Sequence, residues 1–335
     1  MKLFFYFLCI TCLFACDSPK NEKYFVELGG EKQYIETAAK SYENPVLLFI
    51  HGGPGWPQTP HIRYFNSALS NETILVSWDQ RGCGQSYIKN PNPQNVTLGQ
   101  IVKDAHELTL YLKKKFNKDR IYLAGFSWGS IIGMKLVEKY PGDYIAYFGI
   151  SQVTNVRESI RVSREWIKKE AAFHADTAAL KTLQQIDNGD TSVCKQELDC
   201  FFKQYEYLSK YRGAIYKKES DAEIEKAVNA YPDYKNYDWM GAFTFSIEKM
   251  QNDLFSTDLT GIRDIKVPVY FFTGRFDWNI PGQLIRRFTD SLTAPSKEIV
   301  WFEQSGHEPL EEEAQKFNAE MIKRIKRHET GANLQ

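Results

Sequence analysis

Ser127 sits in Gly125-Phe126-Ser127-Trp128-Gly129, between residues 120–124, short and apolar enough for a buried strand, and residues 130–140, which read as a helix stopped by Pro141-Gly142. A strand, a sharp G-x-S-x-G turn and a helix together hold a serine hydroxyl exposed at the strand's carboxyl end. The glycines let the backbone bend tightly and leave room beside the serine. A serine hydroxyl is a poor nucleophile until a base takes its proton, and that base needs an orienting acid. Of six histidines, His307 in Ser305-Gly306-His307-Glu308-Pro309 directly follows the apolar run 298–302. Asp277, in Gly274-Arg275-Phe276-Asp277-Trp278-Asn279, follows the run 267–273 in the same way. A surface histidine or a turn aspartate explains either residue alone. Three such residues at three strand ends, in the order Ser127, Asp277, His307, point to nucleophilic attack on an acyl carbon. The serine and the acid are 150 residues apart, and the acid and the histidine 30, room for one helix between two strands.

Attack on an acyl carbon puts negative charge on oxygen, and preorganised backbone N–H donors stabilise it, each by ~10²- to 10³-fold in rate. His51-Gly52-Gly53-Pro54-Gly55 follows the strand read over residues 45–50 and is suited to supply one. Its glycines permit a turn that aims an amide inward, and Pro54 stiffens it. The N–H groups of Gly53 and Trp128 are the expected donors. His51 precedes the nucleophile and belongs to this loop, so structural hydrogen bonding is its expected role.

The elements that must carry these residues alternate in type. Residues 24–39 read as a strand pair around Gly29-Gly30, and residues 45–50 and 73–78 as continuous apolar strands of the buried kind. Residues 97–116 read as a helix, with Leu98, Ile101, Ala105, Leu108 and Leu112 on one face. Residues 144–150, 266–273 and 298–302 are the remaining strands. Such alternation implies an α/β fold with a mostly parallel sheet, helices on both faces and function at the strands' carboxyl ends. Residues 152–259 break the pattern with charged, aromatic, helical segments, read as a cap inserted after one strand. Within it, residues 201–245 carry twelve aromatics, most of them for the cap's own core and a few to roof a pocket.

Composition sets outer bounds. The chain has 335 residues, 43% hydrophobic and 25% charged, ordinary for a globular protein. Lys plus Arg equals Asp plus Glu at 42 each, so no net charge favours nucleic acid or anionic lipid. Residues 4–15 are uncharged after Lys2, too short to span a bilayer, and match the apolar part of a signal peptide. Leu13-Phe14-Ala15-Cys16 resembles the lipobox of bacterial lipoproteins, which implies a lipid anchor on Cys16. Cleavage after Ala15 by an ordinary signal peptidase is the alternative; either way the mature protein leaves the cytoplasm. Cys194 and Cys200 are spaced to close a short disulfide loop in an oxidising compartment, or are two unrelated thiols on a helix. No His/Cys cluster has zinc spacing, so no metal is expected.

Taken together, His51-Gly52-Gly53-Pro54-Gly55, Asp79-Gln80-Arg81-Gly82-Cys83-Gly84-Gln85-Ser86, the Ser127 pentapeptide, Gly274-Arg275-Phe276-Asp277 and Ser305-Gly306-His307 resemble the α/β-hydrolase superfamily. More narrowly they are similar to the proline iminopeptidase group. The resemblance implies an eight-stranded sheet, a helical cap and no cofactor. It divides the chain into a signal peptide (1–15), a tether (16–23), a hydrolase core (24–151 and 260–330) and the cap (152–259). Asp79 and Arg81 then either brace the loop beside the site or form a surface ion pair. Proline iminopeptidases hold the substrate's amino group with cap glutamates, one in a W-x-x-W-E pattern. Trp166-Ile167-Lys168-Lys169-Glu170 keeps the first Trp and the Glu, which makes Glu165, Trp166 and Glu170 candidates for substrate binding, against a solvated charged helix face. The implied activity is a serine hydrolase acting through an acyl-enzyme, leaning to aminopeptidase on small peptides. A serine nucleophile disfavours the dehalogenase and epoxide hydrolase branches. A carboxylesterase or amidase acting on small acyl substrates, and an inactive lipid-anchored binding protein, are the alternatives.

Overall fold

The computed structural model describes residues 20–331. The signal segment, Cys16 and the first part of the tether lie outside them. Eight strands form one sheet: β1 (Lys20–Leu28), β2 (Glu31–Ala39), β3 (Val46–Ile50), β4 (Ile74–Asp79), β5 (Ile121–Phe126), β6 (Tyr144–Ile150), β7 (Val269–Gly274) and β8 (Lys297–Phe302). Their spatial order is β1-β2-β4-β3-β5-β6-β7-β8. β1 and β2 pair antiparallel with their neighbours, and all the other strands run parallel.

The central strands are apolar throughout because both faces are covered. Val46, Leu48 and Ile50 of β3 point into one core layer with Ile101, Leu108 and Leu112, while Leu47 and Phe49 point into the opposite layer with Phe148, Phe317 and Met321. That split along a single strand is the two-residue period of the pleat. The helix Leu98–Lys115 starts where Thr97 accepts a hydrogen bond from the Gln100 N–H at 3.2 Å, an N-cap.

Most boundaries fall within a residue or two of the sequence reading, and the differences at β1 and β7 have a physical reason. Lys20 to Lys23, expected in the tether, already pair with Ala39 to Glu36 of β2. Charged side chains are compatible with a sheet edge, where alternate residues face solvent. β7 starts at Val269 and not at residue 266, since Pro268 has no N–H to give to a ladder.

Between β6 and β7 the chain leaves the sheet for five α-helices, from Val156–Phe173 to Trp239–Phe255. Cys194 and Cys200 are joined by a disulfide in this region, packed against a buried cluster of Ile167, Leu183, Ile186, Leu208 and Ala214.

Candidate active site

β5 ends at Phe126, and Ser127 takes φ 50° and ψ −117°, a conformation that costs a non-glycine residue roughly 1–3 kcal/mol. Its N–H donates to the Ile150 carbonyl at 2.9 Å, and its own carbonyl accepts from the Ser130 N–H at 2.9 Å. The flanking glycines are fixed by space. A Cβ at Gly129 would run into the carbonyls of Ile50 and His51, and one at Gly125 into the carbonyl of Gly129. The helix Trp128–Lys139 therefore sits directly against the end of β3 and holds the serine side chain clear of the sheet.

His307 and Asp277 stand on the loops after β8 and β7. His307 Nε2 lies 2.9 Å from Ser127 Oγ, and His307 Nδ1 lies 2.9 Å from Asp277 Oδ2. The second carboxylate oxygen, Oδ1, accepts the Ile280 N–H at 2.7 Å, which fixes the acid's rotation. Both residues are buried, Asp277 to 2% exposure and His307 to 5%. With Nδ1–H donating to the carboxylate, Nε2 carries the lone pair that can take the serine proton. The His307 main chain is held from both sides: its N–H donates to the Ala214 carbonyl at 2.5 Å, and its carbonyl accepts from Ser151 Oγ at 2.8 Å.

The loop after β3 closes on the same serine. A Cβ at Gly52 would stand 3.4 Å from Ser127 Cβ, so this backbone touches the nucleophile's turn. Gly53 has φ 111°, in the region that favours glycine. Its N–H and that of Trp128 belong to the two turns that meet at Ser127.

His51 has the structural part expected of it. Its Nδ1–H donates to Gly52 O at 2.7 Å, and its Nε2 accepts the Gln80 N–H at 3.1 Å. Gln80 in turn donates from its side chain to His51 O and accepts from Trp128 Nε1 at 3.2 Å. Burial pushes the His51 imidazole down to about 4, in keeping with a neutral ring that both donates and accepts.

Of the two readings for Asp79 and Arg81, the interior one holds. Arg81 forks onto Asp104 at 2.9 and 3.1 Å and also donates to the carbonyls of Leu28, Gly29 and Gln94. Asp79 accepts from the Gln85 N–H at 2.7 Å, Thr59 Oγ1 at 3.2 Å and the hydroxyl of Tyr234 in the cap at 2.5 Å. Burial pushes its carboxyl up to about 7.

The cap residues proposed for substrate binding separate. Glu165 faces outward, its side chain 54% exposed and 3.2 Å from Lys168. Glu170 is partly buried and lies 4.0 Å from His174, one turn beyond Trp166 on the same helix. The solvated-face reading describes Glu165, whose counterion Lys168 stands one helical turn on. Trp166 turns inward and stacks on Trp278, next to the catalytic aspartate, at 5.1 Å between ring centres. Of the cap aromatics, Tyr234 and Tyr237 are buried in a small cluster with Ala242. Tyr205 keeps 37% of its surface accessible. Yet burial, then the charges of Glu308 and Asp277, push its phenol up to about 12. Tyr205 lines a cleft with Ile160, Phe201, Leu208 and Asn279. Neither this cleft nor a larger one, lined by Lys217, Glu219, Glu223 and Glu312, includes a triad residue in its lining.

Sequence reasoning missed Ser151, Gln80 and Ala214. Ser151 could have been found at the end of β6, level with the nucleophile. Ala214 carries no local signal, because its part depends on what packs beside it.

A mostly parallel eight-stranded sheet, with serine, aspartate and histidine at three strand ends under an inserted helical region, defines an α/β hydrolase. Residues 62–314 match the family described as Serine aminopeptidase, S33. The chain belongs to that family and is a serine hydrolase. It is 29% identical over 307 residues to the "Probable aminopeptidase YbaC" of Bacillus subtilis (strain 168), covering 90% of this chain and 95% of that one. Among solved structures it is similar to a proline iminopeptidase from Mycobacterium smegmatis, with TM-score 0.65, 18% identity and 93% and 100% of the two chains covered. It is also similar to an esterase from Exiguobacterium antarcticum, with TM-score 0.60, 15% identity and 91% and 100% covered. At those identities the solved structures speak to the fold alone.

Proposed function

We propose that this hydrolase is an aminopeptidase that releases the N-terminal residue, proline first among the candidates, from short peptides through an acyl-enzyme. The observation that carries it is the unbroken chain Ser127 Oγ, His307 Nε2, His307 Nδ1, Asp277 Oδ2, with both hydrogen bonds at 2.9 Å. Ser127 attacks the carbonyl carbon. His307 takes its proton and passes it to the departing amine, while Asp277 holds the tautomer. The N–H groups of Gly53 and Trp128 receive the oxyanion. Water, activated by the same histidine, then releases the acyl group. Membership of the S33 family and the aminopeptidase name of the Bacillus subtilis relative support the substrate class.

Hydrolysis of small esters or other amides is the second reading, favoured by one observation: Glu165 is exposed to solvent and paired with Lys168. Purified protein offered proline 4-nitroanilide and 4-nitrophenyl acetate separates the two. Turnover of the ester alone would refute the peptidase reading. Labelling by a fluorophosphonate probe, lost in Ser127→Ala, excludes an inactive binding shell.

The same proposal puts the enzyme at the cell envelope, tethered by a lipid on Cys16, on the strength of the charged start, apolar run and small-residue-then-cysteine ending. Incorporation of labelled palmitate, absent in Cys16→Ala, tests the anchor; secretion of an unlabelled protein would remove it.

A further inference from the structure

Ile150 ends β6 and Ser151 follows it, and these two consecutive residues touch the segments of all three triad members. The Ile150 carbonyl accepts the Ser127 N–H at 2.9 Å. The Ser151 N–H donates to the Phe272 carbonyl at 2.8 Å, on the strand that leads to Asp277. The Ser151 hydroxyl donates to the His307 carbonyl at 2.8 Å. Ser151 is wholly buried and takes φ 45°, in the left-handed region that a serine seldom adopts. A non-glycine residue stays in such a conformation only where its surroundings over-determine it, and such positions gather at functional sites.

The chain is held again just beyond. The Val153 N–H donates to Ser130 Oγ at 2.9 Å, and that hydroxyl donates to the Ser127 carbonyl at 2.5 Å. The Thr154 carbonyl accepts the Leu259 N–H at 2.7 Å, where the chain returns from the cap. Residues 150–154 thus grip the turn of the nucleophile at both Ile150 and Val153. From the same stretch one hydroxyl, that of Ser151, reaches across to the base.

We propose that Ser151 is a positioning residue for the catalytic histidine. Its hydroxyl ties the His307 main chain to the stretch that holds Ser127, and so sets the gap across which the proton moves. The other anchor of His307, the Ala214 carbonyl, belongs to the cap and has no bond to the turn of the nucleophile. Without the hydroxyl, a buried carbonyl loses its donor, which favours a shift of the loop that carries the imidazole. Displacing a catalytic group by about 1 Å costs on the order of 10²-fold in rate. The role concerns the triad itself and is the same for a peptide or an ester.

The test follows inactivation by a neutral fluorophosphonate, which separates binding (KI) from chemistry (kinact) and needs no natural substrate. Ser151→Ala keeps the Cβ and removes only the hydroxyl. Its kinact should fall at least tenfold, with KI within twofold of wild type. Ser151→Gly also lacks the hydroxyl but suits the left-handed backbone. It should be as slow as Ser151→Ala while melting no lower. Thr73→Ala is the stability control. It removes an equally buried hydroxyl, bonded to the Leu69 carbonyl at 2.8 Å at the opposite end of the sheet, and should keep the wild-type kinact. A kinact within twofold of wild type in either Ser151 variant overturns the proposal. So does a loss carried by KI, or an equal loss in Thr73→Ala, which would mean that the rate merely follows stability.

Discussion

The His307 N–H donates to the Ala214 carbonyl at 2.5 Å, so the loop of the base is hydrogen-bonded to the cap. One residue earlier, the Gly213 carbonyl accepts the Trp278 N–H at 2.9 Å, from the loop of the acid. Two consecutive cap residues therefore hold both partners of the serine. Stacking of Trp166 on Trp278 and of Tyr216 on Phe276, at 3.7 Å, presses the same segments together. In Trp166→Ala this clamp loosens. Misplacement of catalytic groups by about 1 Å costs on the order of 10²-fold, so kcat should fall at least tenfold, with KM changing less. The rate of fluorophosphonate labelling should fall in parallel. Labelling at the wild-type rate would mean that the triad is held without the cap.

Asp277→Asn separates orientation from folding. Asparagine can keep a carbonyl oxygen on the Ile280 N–H, so the loop has reason to stay. Its amide nitrogen then faces His307 Nδ1 and favours the tautomer with the proton on Nε2, where the lone pair is needed. Turnover should drop by about 10⁴-fold with the melting temperature nearly unchanged. Activity within tenfold of wild type would mean that another carboxylate serves.

Gly129 makes a prediction about stability. The methyl group of Gly129→Ala would collide with the carbonyls of Ile50, the last residue of a central strand, and of His51 directly after it. The helix must move off β3, at about 1–3 kcal/mol or more. For a chain this long that is a melting temperature lower by several degrees, read by circular dichroism. Gly142→Ala, with open space at its Cβ, is the control and should melt close to wild type.

What could be read in the sequence follows from locality. The turn around Ser127, the strand ends before Asp277 and His307 and the glycines of the His51 loop are each set by a few adjacent residues, and the chain order ties them together. The cap was visible as an insertion because its composition changes. Its use was not visible, since Glu165 and Glu170 match a motif by spacing while their side chains answer to Lys168 and His174. Glu308 lies in a run of glutamates that reads as solvated surface. Glu311 and Glu312 take donors from His61, Gln58, Lys217 and Gly306, while Glu308 Oε2 is buried without one, and nothing local in the sequence separates the three. Lys20 to Lys23 looked like tether for a related reason: an edge strand keeps its charged side chains.

Asp79 carries the pH prediction. Its folded carboxyl is pushed up to about 7 by burial, against an ordinary value of 3.8. Between those values the folded protein keeps a proton that the unfolded chain has released. The neutral carboxyl therefore contributes stability that is fully present below about pH 4 and is lost as pH rises towards 7, by up to about 1.4 kcal/mol per pH unit. His51 works the other way. Its folded value is about 4, so it favours folding as pH rises from 4 to 6.5. Glu312, also pushed up to about 7, has the same sign as Asp79. The slope of the wild type alone thus mixes several groups, and the informative quantity is the difference from Asp79→Asn, which cannot ionise. Between about pH 5 and pH 8 the wild-type melting temperature should fall by more than that of the variant. Parallel curves would mean that Asp79 stays charged across the range and that its bond to Tyr234 is a tie from carboxylate to phenol at every pH.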